Sequence, residues 1–187
     1  MQITQWDPIL AVPVSPDRDH IRGPDNAPAV LLEYGDYQCP HCGAAHPTIK
    51  AVQREMGNDL QFVFRHFPLI TLHPLAEPAA EAAEAAAAQG SFWEMHDMLY
   101  QNQHRLGVVA SLLEFAIAIG LDTEQFADEL RRHVHAGKVR DDFLSGVRSG
   151  VRGTPTFFIN GRRHDRSWEF PTLLGALKAA AAESKAA

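Results

Sequence analysis

Only two cysteines occur in the 187 residues, and they are closely spaced as Cys39-Pro40-His41-Cys42. An apolar run, Ala29-Val30-Leu31-Leu32-Glu33-Tyr34, precedes them and reads as a buried strand; the segment after them, Gly43 to Met56, reads as a helix. A strand that feeds a helix puts the first cysteine at the helix N-terminus. Free backbone N–H groups and the helix dipole stabilise a thiolate there. The second cysteine lies one turn on, within reach of the first. The arrangement makes a reversible dithiol/disulfide, with Cys39 as nucleophile and Cys42 as resolving thiol. Two other readings compete. A zinc site would draw on Cys39, Cys42, His41 and His46, but zinc usually takes four ligands and there is no second cysteine pair. His41 stands between the cysteines, where its ring cannot easily turn onto a shared ion. The other reading is a pair of inert structural cysteines, which the intervening Pro-His disfavours because neither residue is a core former. No metal and no cofactor are expected.

Composition sets the outer bounds. The hydrophobic content of 45% and charged content of 21% suit a globular domain with a sizeable core. A net charge of −6 argues against nucleic acid or an anionic membrane surface as main partner. No apolar run is long enough for a membrane-spanning helix.

The chain divides into three parts. Residues 1 to 28 carry Pro8, Pro13, Pro16, Pro24 and Pro28, a spacing that excludes a helix and predicts an extended arm with a short strand. The alternating Leu60 to His66 is a second main strand, which with the strand and helix before it gives a right-handed parallel unit. Glu33 stands within the first strand, where a charge is expensive unless paired; the alternative is an edge position facing solvent. Pro47 should kink the helix after the cysteines. From about residue 68 to 150 the pattern is helical throughout. Ala76 to Gln89 ends at Gly90, Ser91-Phe92-Trp93-Glu94 forms a capping box, Leu112 to Ile119 follows, Asp122 caps another helix, and the last helix runs from Ala136 to Val147. Strand returns at Gly153-Thr154-Pro155-Thr156-Phe157-Phe158-Ile159, with Asn160-Gly161 as a type I′ hairpin turn to Arg162–His164. Phe170, Leu173, Leu174 and Leu177 mark one face of a final helix, and the tail after Ala180 is expected to fray. The expected divisions are therefore 1–67, 68–150 and 151–187, the middle one an all-helical insertion in an α/β fold.

Two distant segments together resemble a known group. Cys39-Pro40-His41-Cys42, and Thr154-Pro155 followed by an apolar strand and an Asn-Gly hairpin, resemble the active site and cis-proline loop of the thioredoxin superfamily. The helical insertion resembles its DsbA-type disulfide oxidoreductases. The likeness runs from about residue 18 to 180. Gly35-Asp36-Tyr37-Gln38-Cys39-Pro40 resembles a bacterial subgroup sometimes appended to sodium/proton antiporters, and no antiporter segment lies in this chain.

The resemblance implies a thioredoxin fold and a protein-disulfide oxidoreductase. It implies that a mixed disulfide forms at Cys39 and is resolved by Cys42, that His41 stabilises the Cys39 thiolate by its ring or charge, and that Glu33 relays a proton to or from Cys42. Thr154 and Pro155 would present backbone to an extended substrate. The partners implied are protein thiols and disulfides and a redox partner protein, with the chain a monomer. A glutathione-linked isomerase or transferase of the same fold, and a non-catalytic redox-sensing module, remain as alternatives. The chain as given shows no secretory signal, so a cytoplasmic location is expected, with an extracytoplasmic oxidant that has lost its signal or anchor as the alternative.

Overall fold

The computed structural model describes residues 9–186, so the first eight residues of the predicted arm lie outside it. In chain order come β1 (His20–Arg22), β2 (Ala29–Gly35), α1 (Pro40–Met56), β3 (Leu60–His66) and five helices. These are α2 (Ala76–Ala87), α3 (Phe92–Gln101), α4 (Ala110–Ala118), α5 (Thr123–Arg131) and α6 (Ala136–Arg148). Then follow β4 (Thr156–Ile159), β5 (Arg162–His164) and α7 (Phe170–Ala186).

The strands form one sheet in the order β1-β3-β2-β4-β5. Strand β2 is parallel to β3 and antiparallel to β4, so it is central and its residues are covered on both sides. Strand alternation then sorts the side chains. Leu31, Phe62, Phe64, Phe157 and Ile159 face the larger core, which α1, α7 and much of the helical region share; Leu32, Tyr34, Val63, Phe67 and Phe158 face the smaller one. Helix α6 closes the smaller core, with Phe143 stacked on Phe67 at 4.5 Å and Ser145 Oγ within 2.8 Å of the Tyr34 hydroxyl.

Arg65 ties the N-terminal arm to this second face. Its guanidinium is fully buried. Nε and Nη2 donate to the two carboxylate oxygens of Asp19 at 2.8 and 2.9 Å, Nη1 donates to the Val12 carbonyl and the Tyr34 hydroxyl, and Nη2 also donates to the Pro13 carbonyl. All five guanidinium N–H groups are thereby used.

Several local expectations change. The helix after the cysteines begins at Pro40, not Gly43, and runs on through Pro47. Gly90, at φ +78°, ends α2: Ser91 N–H donates to Ala86 O and Gly90 N–H to Ala87 O. That turn leaves Ser91 at ψ 35° with no side-chain cap, so the predicted capping box does not form. Asp122 does cap α5, accepting from the N–H groups of Glu124 and Gln125. In α7 the buried stripe is Leu173, Leu177 and Ala181, whereas Phe170 is exposed. The helix continues past Ala180, where alanine-rich sequence favours it and Lys185 bonds Asp59 at 2.8 Å.

Candidate active site

Strand β2 delivers the chain to the N-terminus of α1 through a loop organised by Asp36. One carboxylate oxygen of Asp36 accepts from Gln38 N–H at 2.8 Å, the other from Leu69 N–H at 2.9 Å and His73 Nδ1 at 2.7 Å. Its carbonyl accepts from Cys39 N–H at 3.1 Å. Cys39 is the N-cap of α1, with extended backbone, and Pro40 occupies the first turn, where a missing N–H costs nothing. Cys42 is then one turn into the helix and fully buried. Both residues are free thiols in this structure.

The second segment arrives 115 residues later. Cys39 Sγ lies 3.3 Å from the carbonyl oxygen of Thr154. The Thr154–Pro155 peptide bond is cis. Of the predicted site residues, Glu33, Cys39, Cys42 and Thr154 come together, with Pro155 next to Thr154. Pro40 and His41 are exposed at the rim.

The two thiols differ sharply. The Cys39 thiol is lowered from 9.0 to about 5, first by a hydrogen bond from the Cys42 thiol. Partial burial opposes the shift; the Thr154 side chain and the backbone N–H groups of Cys42 and His41 add to it. His41 thus acts through its backbone, and its ring forms no hydrogen bond among the described residues. Cys42 is raised well above 9.0 by burial, by its bond to Cys39 and by the negative charges of Glu33 and Cys39.

Glu33 is not at a solvent-facing edge. It is 1% exposed on the central strand, in register with Phe64 on one side and Phe157 on the other. Neither carboxylate oxygen has a hydrogen-bond partner among the described residues. Burial, and then the Cys39 charge, raise its carboxyl from 4.5 to about 8.

Residues outside the motif hold it in place. Gln103, just after α3, donates from Nε2 to the carbonyls of Tyr37 and Cys39 at 2.9 and 2.8 Å. Gly43 leaves room for it: a Cβ there would meet Gln103 Oε1 at 2.3 Å. Gln38 reaches the other way, donating to the Leu106 carbonyl and accepting from Leu75 N–H. The helical region is thereby hydrogen-bonded to the loop that carries Cys39. Sequence reading passed over Gln38 and Gln103, since a polar residue in a polar stretch gives no periodic signal. Gly43, a glycine inside a helix, was the available hint, because its missing side chain leaves room for a neighbour. Replacing Gln103 with alanine leaves both carbonyls short of a donor, and the expected loss is about 1–2 kcal/mol of stability in thermal unfolding of the reduced protein.

The sequence pattern of the Thioredoxin family matches residues 15–179. The chain belongs to the thioredoxin family. It is similar to a sodium/proton antiporter, NhaA 1 of Salinispora arenicola, with 46% identity over 176 residues that make up 94% of this chain and 27% of that protein. The chain therefore spans only about a quarter of that relative's length. In structure it is similar to oxidised BdbD of Bacillus subtilis, with a TM-score of 0.81 and 22% identity, covering 90% of this chain and 95% of that one. It is also similar to alpha-DsbA2 of Wolbachia pipientis, described as a thiol-disulfide exchange protein, with a TM-score of 0.66 and 22% identity over 87% and 85% of the two chains. These likenesses show a DsbA-like thioredoxin fold, with α2 to α6 between the halves of the sheet. No helix among the described residues is long and apolar enough to cross a membrane.

Proposed function

We propose that this chain is a thiol–disulfide oxidoreductase acting on protein dithiols and disulfides. The observation that carries the reading is the inequality of the paired thiols: Cys39 lowered to about 5 at a helix start beside Thr154, Cys42 buried and raised. A single reactive thiolate with a protonated neighbour is what ordered exchange requires. In the reducing direction, the Cys39 thiolate attacks a substrate sulfur. The substrate S–S bond breaks, one substrate sulfur leaves as thiolate, and a mixed disulfide remains. Cys42 gives up its proton and attacks Cys39 Sγ, releasing the second substrate sulfur and leaving the Cys39–Cys42 disulfide. The reverse sequence oxidises a substrate dithiol.

Glu33 is suited to the proton of the second step. Part of what raises its carboxyl is the Cys39 charge, and that charge disappears once Cys39 is in a mixed disulfide. Glu33 then becomes more acidic, and its carboxylate can accept the proton from Cys42 as the thiol becomes a nucleophile. The stabilised Cys39 thiolate favours the reduced fold. A lowered folded value contributes stability that is fully present above 9 and lost as pH falls through 5, which makes the disulfide the better oxidant near neutral pH.

The direct test is catalysis of insulin reduction by dithiothreitol; turnover in a glutathione-transfer assay without insulin activity would favour the other reading. The sodium/proton exchange named in the longer relative is not proposed for this chain, which matches a part of that protein.

A second expectation concerns Glu33. Its folded value lies above its unfolded one, so from pH 4.5 to about 8 the native state holds a proton that the unfolded state has released. The Glu33 contribution to stability should therefore fall across that window, by a total on the order of several kcal/mol, and in the reduced protein it runs against the rising contribution of Cys39. Glu33→Gln should remove that falling contribution, so that its melting temperature gains on the wild type most at the alkaline end, while slowing resolution of the mixed disulfide more than its formation. Parallel melting curves for the two proteins from pH 4.5 to 8 would refute the burial argument.

A further inference from the structure

Beneath the thiols lies a cluster that the exchange chemistry does not use. His46 is one turn past Cys42 on α1; His96 and Asp97 are on α3. One donor atom from each of the three lies within 4.8 Å of the others, and neither cysteine is part of the group. We propose that His46, His96 and Asp97 bind a divalent transition-metal ion of the zinc class, joining α1 to α3.

Unsatisfied atoms carry the argument. His46 is 6% exposed, and neither ring nitrogen has a hydrogen-bond partner among the described residues. Asp97 Oδ1 is also buried and has none among them. Buried polar atoms normally find partners, so orphans on two facing side chains need a cause. His46 Nε2 and Asp97 Oδ1 stand 3.5 Å apart. That is long for an N–H···O hydrogen bond. It fits the edge of a zinc tetrahedron, since bonds of about 2.0–2.1 Å put neighbouring ligand atoms about 3.4 Å apart. His96 has the orienting contact common to metal-bound histidines: its Nδ1 is 3.0 Å from the Tyr37 hydroxyl, and in the tautomer whose Nδ1–H donates to that hydroxyl, Nε2 is left to ligate. Burial keeps both rings neutral, the form that ligates. Two imidazoles and a carboxylate are a donor set for zinc, with one coordination position left open.

A second cluster shows the contrast. In His20, His66 and Glu84, one Glu84 oxygen accepts from both histidines at 2.8 and 2.7 Å, so ordinary hydrogen bonds already join the three side chains, although His66 Nδ1 has no partner among the described residues. In the proposed site the opposing feature is charge. Lys50 Nζ and Arg22 Nη1 lie 2.7 and 3.6 Å from Asp97 Oδ2. They engage Oδ2 and leave Oδ1 to His46; both side chains are about a third exposed, and the Arg22 guanidinium also lies over the Trp93 ring at 4.5 Å. They compete with a cation and do not fill its place.

The test uses the chain with both cysteines replaced by serine, so that thiols take no metal and the result is independent of the redox reading. Zinc is titrated against a chromogenic chelator, and cobalt is added as a spectroscopic probe. One equivalent of zinc should bind, and cobalt should give visible absorption of a tetrahedral site. His46→Gln and Asp97→Asn should each weaken zinc at least about tenfold, since losing even an outer-shell partner of a ligand costs about that much. Lys50→Met should tighten it. Failure of both the parent and the Lys50→Met protein to bind one equivalent overturns the site, as does undiminished binding in Asp97→Asn, a partly exposed position whose change leaves the core intact.

Discussion

Cys39→Ser should reduce insulin-reducing turnover to the uncatalysed background, whereas Cys42→Ser should retain the first attack and accumulate a mixed disulfide with substrate. The difference follows from position. Serine at the helix cap has no thiolate to form the first bond. Serine at 42 leaves that bond formed and nothing to break it. The underlying inequality can be read without substrate. At pH 6 a thiol with a value of about 5 is about nine-tenths thiolate, while one above 9 is ionised at less than about one part in a thousand. The lower-pKa thiolate is intrinsically weaker by about two powers of ten over such a gap. Cys39 should still be alkylated at least about tenfold faster than Cys42, and burial of Cys42 widens the margin. Equal labelling rates would remove the basis for assigning Cys39 as nucleophile.

Arg65→Met should cost the fold about 3–5 kcal/mol, the range for breaking a buried ion pair from one side. Asp19 would be left buried and charged with only Arg18 Nε, 4.0 Å from its Oδ1, and the carbonyls of Val12 and Pro13 would lose their donors. For a chain of this size the melting temperature should drop by about 10 °C. A second change, Asp19→Leu in the Arg65→Met background, should recover part of the loss, because it removes the stranded charge. A drop of under 2 °C for Arg65→Met alone would show that the network adds nothing beyond packing.

What could be read from the amino acids depended on whether the signal was local. Strand β3 has the predicted bounds because its aromatic and β-branched residues alternate without interruption. The hairpin at Asn160-Gly161 follows from two residues that accept positive φ, +46° and +78°. Cys39 at a helix start was legible because strand, motif and helix adjoin. Glu33 was ambiguous because Ala29 to Tyr34 is apolar on both faces, and strand periodicity does not say which neighbours a strand has. Its pairing with β3 on one side and β4 on the other sets it inside the sheet, beside the side chains that face the larger core, and that position is where its carboxyl is buried. The capping box at Ser91 failed because the Gly90 turn had already fixed the backbone. Arg65, Gln38 and Gln103 were invisible for another reason. Each acts on residues far along the chain, and no spacing rule connects Gln103 to Tyr37 or Arg65 to Val12.

The contact between Cys39 Sγ and the Thr154 carbonyl joins two segments separated by 115 residues. A ribosome delivers the cysteines long before it delivers the loop that faces them. Until β4 docks against β2, Cys39 has its helix but lacks one wall of its pocket, and Glu33 is flanked on one side only. The surroundings that set the reactivity of the dithiol are therefore complete only when β4 is paired with β2.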